Sequence, residues 1–238
     1  MVVKMRKIIS ILLIVILLFS TTACKNKKTK ETDAIKFKEE YESINNDINE
    51  SNNKRYRTIK ISEKNPFVYI TAEKIVEKIK NNETFIVYFG FKECPWCRSI
   101  IEQLSKVAIA ENVAKIYYVD VLDIRDVKEI DDLGNITTKK EGTTAYLELI
   151  DLLKDVLEDY TLTKGDQKVP VGEKRIYAPN VVAVSRGKVV QLETGIPEEL
   201  TDPYMELTES MEEYTYNKFK CLIRCLEEDS TTCQKNSC

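Results

Sequence analysis

Thr84-Phe85-Ile86-Val87-Tyr88-Phe89-Gly90-Phe91-Lys92-Glu93-Cys94-Pro95-Trp96-Cys97-Arg98 decides how the rest of the chain is read. The run from Thr84 to Phe89 is continuously β-prone, as expected of a strand buried on both faces. A helix opens at the CPWC tetrad beyond it, with Ile100, Ile101, Leu104, Val107 and Ala108 on its apolar face. Pro95 suits the first helical position, where its missing N–H would have had no partner. Cys94 therefore sits at the positive end of a helix dipole, which favours its thiolate. Cys97 lies one turn on, so its sulfur returns to the same helix end and is placed to resolve a mixed disulfide on Cys94. Arg98 adds a cation whose direction the sequence does not give. Two competing readings of the pair are a structural disulfide and half of a zinc site. Zinc would want a second CxxC, and none is present.

The flanking segments extend an α/β pattern. Tyr56 to Ile61 alternates as a strand, and Thr71 caps a helix over 72–80 with Ile75, Val76 and Ile79 on one face. Lys115 to Leu122 reads as a second buried strand. Residues of about 125–169 read as a helical insertion, its apolar stripe running through Leu147, Ile150, Leu153, Leu157 and Tyr160. Val181 to Val184 and Lys188 to Leu192, joined by Ser185-Arg186-Gly187, form a hairpin. A last helix spans about 205–228.

The chain has 238 residues, 43% of them apolar, which is enough for one domain with a sizeable core plus appendages. Formal net charge is −3, and setting aside the three cations Lys4, Arg6 and Lys7 leaves −6. An acidic chain without an extended basic patch argues against nucleic acid as a partner. There is no histidine, which excludes Ser-His-Asp and Cys-His catalysis and any His-ligated metal.

Residues 1–24 read as an export signal. Lys4, Arg6 and Lys7 form its charged head, and Ile8 to Phe19 is an apolar run too short for a comfortable membrane span. Thr21-Thr22-Ala23-Cys24 resembles a bacterial lipobox, with Thr21 where an aliphatic residue is usual. Lipidation of Cys24 implies anchorage at the outer face of a membrane; simple cleavage or an uncleaved anchor are the other readings. Residues 25–55 hold a polar tether and a short amphipathic helix through Ile35, Phe37, Tyr41, Ile44 and Ile48. Of seven cysteines, Cys24 takes the lipid, Cys94 and Cys97 form one pair, and four lie in a tail over 221–238. These four allow three pairings. A tail that folds back favours the nested Cys225–Cys233 and Cys221–Cys238, structural staples rather than a metal site or second redox centre. The acidic run Asp120, Asp123, Asp126, Asp131 and Asp132 does not match an EF-hand loop, so it reads as a solvated face.

The segment Phe85 to Arg98 resembles the active-site segment of the thioredoxin superfamily, and is similar above all to thioredoxin-like lipoproteins of Gram-positive bacteria, the bacteriocin transport accessory group. Arg175-Ile176-Tyr177-Ala178-Pro179-Asn180-Val181-Val182 resembles that family's cis-proline strand. The resemblance covers roughly 56–220, less the insertion. It implies an α/β thioredoxin fold, a central mixed sheet flanked by helices, with the insertion placed before the cis-Pro strand. It also implies a cis Pro179 beside the CxxC, Ala178 offering backbone groups to an extended substrate, and Trp96 beside Cys94 either docking substrate or packing over a loop. The function implied is thiol–disulfide exchange with exported proteins, with a separate redox partner, no cofactor, and a lean towards reduction. Two other functions are a non-catalytic accessory lipoprotein on the same fold and a Cu(I) metallochaperone. One departure stands out: where many relatives carry an acid six positions before the first cysteine, this chain has Tyr88. A phenol with a reference pKa of about 10 is a poor base at neutral pH. Lys92 and Glu93 are nearer in sequence, and the proton-transfer partner of the thiols is left open.

Overall fold

The computed structural model describes residues 32–226. The signal segment, Cys24, Cys233 and Cys238 lie outside the described residues.

In chain order, α1 (Asp33–Glu42) leads to a small hairpin of β1 (Ile48–Asn49) and β2 (Lys54–Arg55). Then come β3 (Phe67–Tyr69), α2 (Ala72–Lys80), β4 (Phe85–Gly90), α3 (Pro95–Ala110) and β5 (Ile116–Asp120). A further stretch contains β6 (Val127–Ile130), β7 (Ile136–Lys140), α4 (Thr144–Leu153), β8 (Glu158–Lys164) and β9 (Gln167–Arg175). The described chain ends with β10 (Asn180–Ser185), β11 (Lys188–Glu193) and α5 (Glu209–Arg224). The class is mixed α/β. A five-stranded sheet of order β11-β10-β4-β5-β3 is flanked by helices, with β3, β5 and β4 parallel and β10 and β11 antiparallel.

The central strands carry the core. Every residue of β4 is buried, as its unbroken apolar run requires. Alternation then sorts side chains between the two faces. Ile86, Tyr88 and Gly90 share the face on which α1 and α3 pack, while Phe85 meets Tyr117 on the other, where Lys78 of α2 lies over the Tyr117 ring. Helix α3 packs on α5, and α2 on α4. Helix α2 begins where its cap is written: Thr71 accepts from the Lys74 N–H, an N-cap worth about 1 kcal/mol.

Several expectations need correction. The helix expected through Ile44 and Ile48 ends at Glu42, and Ile48 belongs to β1. Tyr56 to Ile61 does not join a sheet, although Tyr56, Ile59 and Ile61 are buried. Side chains satisfy its backbone instead: Ile59, Lys60 and Ile61 donate to Asn45, Glu102 and Glu42. The first strand of the sheet is β3, which the alternation argument passed over. Secondly, the 125–169 insertion is not all helical. It holds one helix, the β6–β7 hairpin and most of the β8–β9 hairpin. The helix stops at Leu153, and Tyr160 belongs to a strand. Gly165, at φ +60°, makes the β8–β9 turn, while Gly134, at φ +90°, and Asp131, which accepts from the Asn135 backbone and amide, make the β6–β7 turn. Asp131 is thus a turn residue, while Asp126 of the same acidic run is buried in an ion pair with Arg175 and not on a solvated face. Lastly, α5 is shorter than the expected 205–228. Thr208 caps it, and Tyr214 on it is exposed.

Among the described residues, no helix is long and apolar enough to cross a membrane.

Candidate active site

The carboxyl end of β4 delivers the chain through Phe91-Lys92-Glu93 into α3, and Cys94 is the N-cap of that helix. Its sulfur takes the role that a serine or aspartate oxygen usually plays there, accepting from the Cys97 N–H at 3.2 Å. Pro95 occupies the first turn, as its ring predicts. Both Cys94 and Cys97 are free thiols. Cys94 is 5% exposed and Cys97 not at all. The outer thiol is therefore the one an incoming group meets.

The Ala178–Pro179 bond is cis, as the resemblance implies, and the segment stands directly over the CxxC. The Cys94 thiol donates to the Ala178 carbonyl at 3.3 Å. Residues far apart in sequence, Cys94, Trp96, Ala178 and Pro179, meet because β10 pairs antiparallel with β4, setting Asn180 opposite Phe89. Beside them runs a groove of about 460 Å³, floored by Trp96, Tyr177, Ala178, Pro179, Ile196 and Leu200 and rimmed by Glu158 and Glu198.

The two sulfurs are electrostatically unequal. Burial pushes the Cys94 thiol up. Hydrogen bonds from the Cys97 thiol and from the Cys97 and Trp96 N–H groups, together with the charge of Arg125, outweigh it and leave Cys94 below the ordinary thiol value. Burial pushes Cys97 well above its ordinary value, and the hydrogen bond to Cys94 and the charge there add to the rise. Tyr88 and the Phe91 backbone oppose it without prevailing.

Arg98 does not serve the thiolate. It is buried and turned away, donating to the carbonyls of Tyr41 and Arg57 and to the Asn45 side chain at 2.6–2.7 Å, so it ties α3 to α1 and the 56–61 segment. The cation that acts on Cys94 is Arg125, which sequence reasoning missed. Its guanidinium lies 4.8 Å from the Phe91 ring centroid, beside the buried Arg175–Asp126 ion pair. Nothing in its local sequence marks it, because only the path of the chain after β5 carries it there.

Cys221 and Cys225, near the end of α5, are both disulfide-bonded. The nested pairing assigned them partners outside the described residues. Among the described residues, no group of three or more His, Cys, Asp or Glu side chains is arranged to hold a metal ion. No family model matches the chain, and no curated protein matches it.

Proposed function

We propose that this protein is a thioredoxin-fold thiol–disulfide oxidoreductase acting on exported proteins. One observation carries the reading: a low-pKa N-cap thiol, Cys94, lies against the carbonyl before a cis-proline, with a second, protonated thiol buried one turn behind it. A structural cysteine pair has no need of this inequality. An exchange site does.

The chemistry runs in two displacements. Cys94 thiolate attacks one sulfur of a substrate disulfide; a Cys94–substrate bond forms, the substrate S–S bond breaks, and the far sulfur leaves as thiolate. Cys97, once deprotonated, attacks the Cys94 sulfur; the Cys94–Cys97 disulfide forms and the second substrate thiolate departs. The protein has then lost two electrons and the substrate gained them. A partner dithiol restores the reduced pair by the reverse steps, and no cofactor takes part. The groove beside Trp96 suits an extended peptide, held there while its disulfide meets Cys94. Reduction is the net direction we assign, following the resemblance. Outer-face anchorage through Cys24 rests on the lipobox-like Thr21-Thr22-Ala23-Cys24.

The test is trapping. Cys97→Ser should accumulate mixed disulfides through Cys94 with exported proteins, and Cys94→Ser should accumulate none. Equal trapping by both variants overturns the assignment of roles, and a phenotype indifferent to both substitutions favours the accessory-protein reading.

A further inference from the structure

We infer that the groove beside Cys94 takes substrate segments carrying a lysine or arginine close to the reacting cysteine, with Glu158 and Glu198 receiving the cation. The inference rests on the exchange reading above and names the substrate class that this reading leaves open.

Three parts of the chain build the groove. Trp96 comes from the first turn of α3, Ala178 and Pro179 from the cis-proline segment, and Ile196 and Leu200 from the loop after β11. The Cys94 thiol reaches the same wall, donating to the Ala178 carbonyl at 3.3 Å. At about 460 Å³ the groove is within the usual range of small ligand sites, roughly 300–1,000 Å³. A side chain next to a disulfide under attack at Cys94 therefore has a place to lie.

Strand pairing brings the first carboxylate to the rim. β8 runs antiparallel to β9 with Glu158 opposite Arg175, a few residues before Ala178. The Tyr177 hydroxyl ties the two segments together, accepting from the Thr161 N–H at 3.0 Å and donating to the Asp159 carbonyl at 3.4 Å. Glu198 arrives separately, in the turn that the Leu200 N–H closes on the Pro197 carbonyl at 3.1 Å. Both glutamates are exposed.

Charge decides what the groove selects. The neighbouring charges are already matched: Lys174 pairs with Asp159, and Arg175 with Asp126, each at 2.8 Å. Among the described residues, neither Glu158 nor Glu198 has an ion-pair partner, and no lysine or arginine lines the groove. The site thus offers an apolar floor with two unanswered carboxylates above it. Lysine and arginine match both features, because each carries an apolar stem that lies along such a floor and a cationic head that stays at the wet edge. An aliphatic side chain covers the floor and leaves the carboxylates unanswered. An acidic one is repelled. Successive residues of an extended segment advance about 3.3 Å, so a basic residue within two positions of the cysteine reaches the groove while the sulfur meets Cys94.

The test uses short peptides with one cysteine held as a mixed disulfide with a neutral nitropyridinethiol. Lysine, norleucine or glutamate stands two positions away, on either side. Each is mixed at low salt with the protein reduced at Cys94 and Cys97. Cys94 thiolate attacks the peptide sulfur, a Cys94–peptide bond forms, and the nitropyridinethiolate leaves and is followed by its absorbance. Rates are divided by those with mercaptoethanol, which removes the peptides' intrinsic differences. In the better-placed position, the lysine peptide should react about threefold faster than the norleucine peptide, and the glutamate peptide slower by a similar factor, the scale of exposed charge pairs. The gap should close in about 1 M salt. Glu158→Gln combined with Glu198→Gln should erase it. Glu63→Gln combined with Glu73→Gln, an equal change of charge at exposed positions outside the groove, should leave it in place. Equal rates for all three peptides with the parent protein overturn the inference. So does a gap that survives the groove variant, or one that vanishes equally in the control. Failure of the norleucine peptide to release thiolate with the parent protein overturns the exchange reading itself.

Discussion

Replacing Gly90 by alanine tests the tightest packing at the site. The added Cβ would fall within 2.8 Å of Tyr88 Cε2, closer than real Cβ atoms come to their neighbours, and nearer still to the Tyr88 Cζ and hydroxyl. Tyr88 is fully buried between the Phe67 and Tyr118 rings, so the ring has little room to retreat. Overpacking of this kind costs about 1–3 kcal/mol. For a domain of this size that is a fall in Tm of roughly 2–12 °C. The diagnostic is the double variant. Tyr88→Val alone removes most of a buried aromatic ring and costs about 3–5 kcal/mol. With that ring gone, Gly90→Ala meets no obstacle and adds nothing further, so the coupling energy equals the cost of the single glycine substitution. Urea denaturation of the four proteins measures it. Strict additivity would refute the reasoning, because it would place the alanine methyl somewhere other than against Tyr88.

Other expectations follow from the same contacts. Arg125→Gln removes the cation that lowers the Cys94 thiol, so its alkylation profile should move to higher pH and its rate near neutrality should fall several-fold. Arg98→Met leaves the carbonyls of Tyr41 and Arg57 and the Asn45 side chain without their donor, a loss of about 3 kcal/mol or more in urea denaturation, with the Cys94 alkylation profile unmoved. The buried phenols set an alkaline limit. Tyr41, Tyr69, Tyr88 and Tyr118 are acids whose folded values are raised, by burial above all, so they bind protons more tightly folded than unfolded. Their contribution to stability is complete below the unfolded phenol value of about 10 and is lost as pH rises through the folded values. Unfolding above that pH should therefore coincide with phenolate absorbance; four phenols titrating normally in the native protein would contradict it.

What the sequence disclosed, and what it hid, divides along physical lines. Helix α2, β4 and the opening of α3 depend on local signals: the Thr71 cap, an unbroken apolar run, and Pro95 after Cys94. The hairpin of β10 and β11 was equally plain from Gly187, whose φ is +73°. Residues 56–61 alternated like a strand, yet their donors went to Asn45, Glu102 and Glu42, partners that only tertiary structure brings near. In the insertion, leucine spacing outweighed the turn chemistry of Lys164-Gly165-Asp166, and a helix was extended over what is a hairpin. Cys94, Cys97 and Pro179 were legible because one short motif and one dipeptide carry them. Arg125 and the row that Tyr69, Tyr118 and Tyr88 form across β3, β5 and β4 were not. Their places come from register and chain path, and each tyrosine alone reads as an ordinary strand residue.

The central claim is that Cys94 is the reactive thiolate and Cys97 its protected partner, and the most direct measurement is the rate of alkylation at each cysteine of the reduced protein across pH, resolved by peptide mass. The account predicts that Cys94 reacts first, with a midpoint below the value of about 8.5 for an unperturbed thiol, while Cys97 stays unmodified until the protein unfolds. Prior modification of Cys97, or a Cys94 midpoint at or above that of a free cysteine, would contradict it.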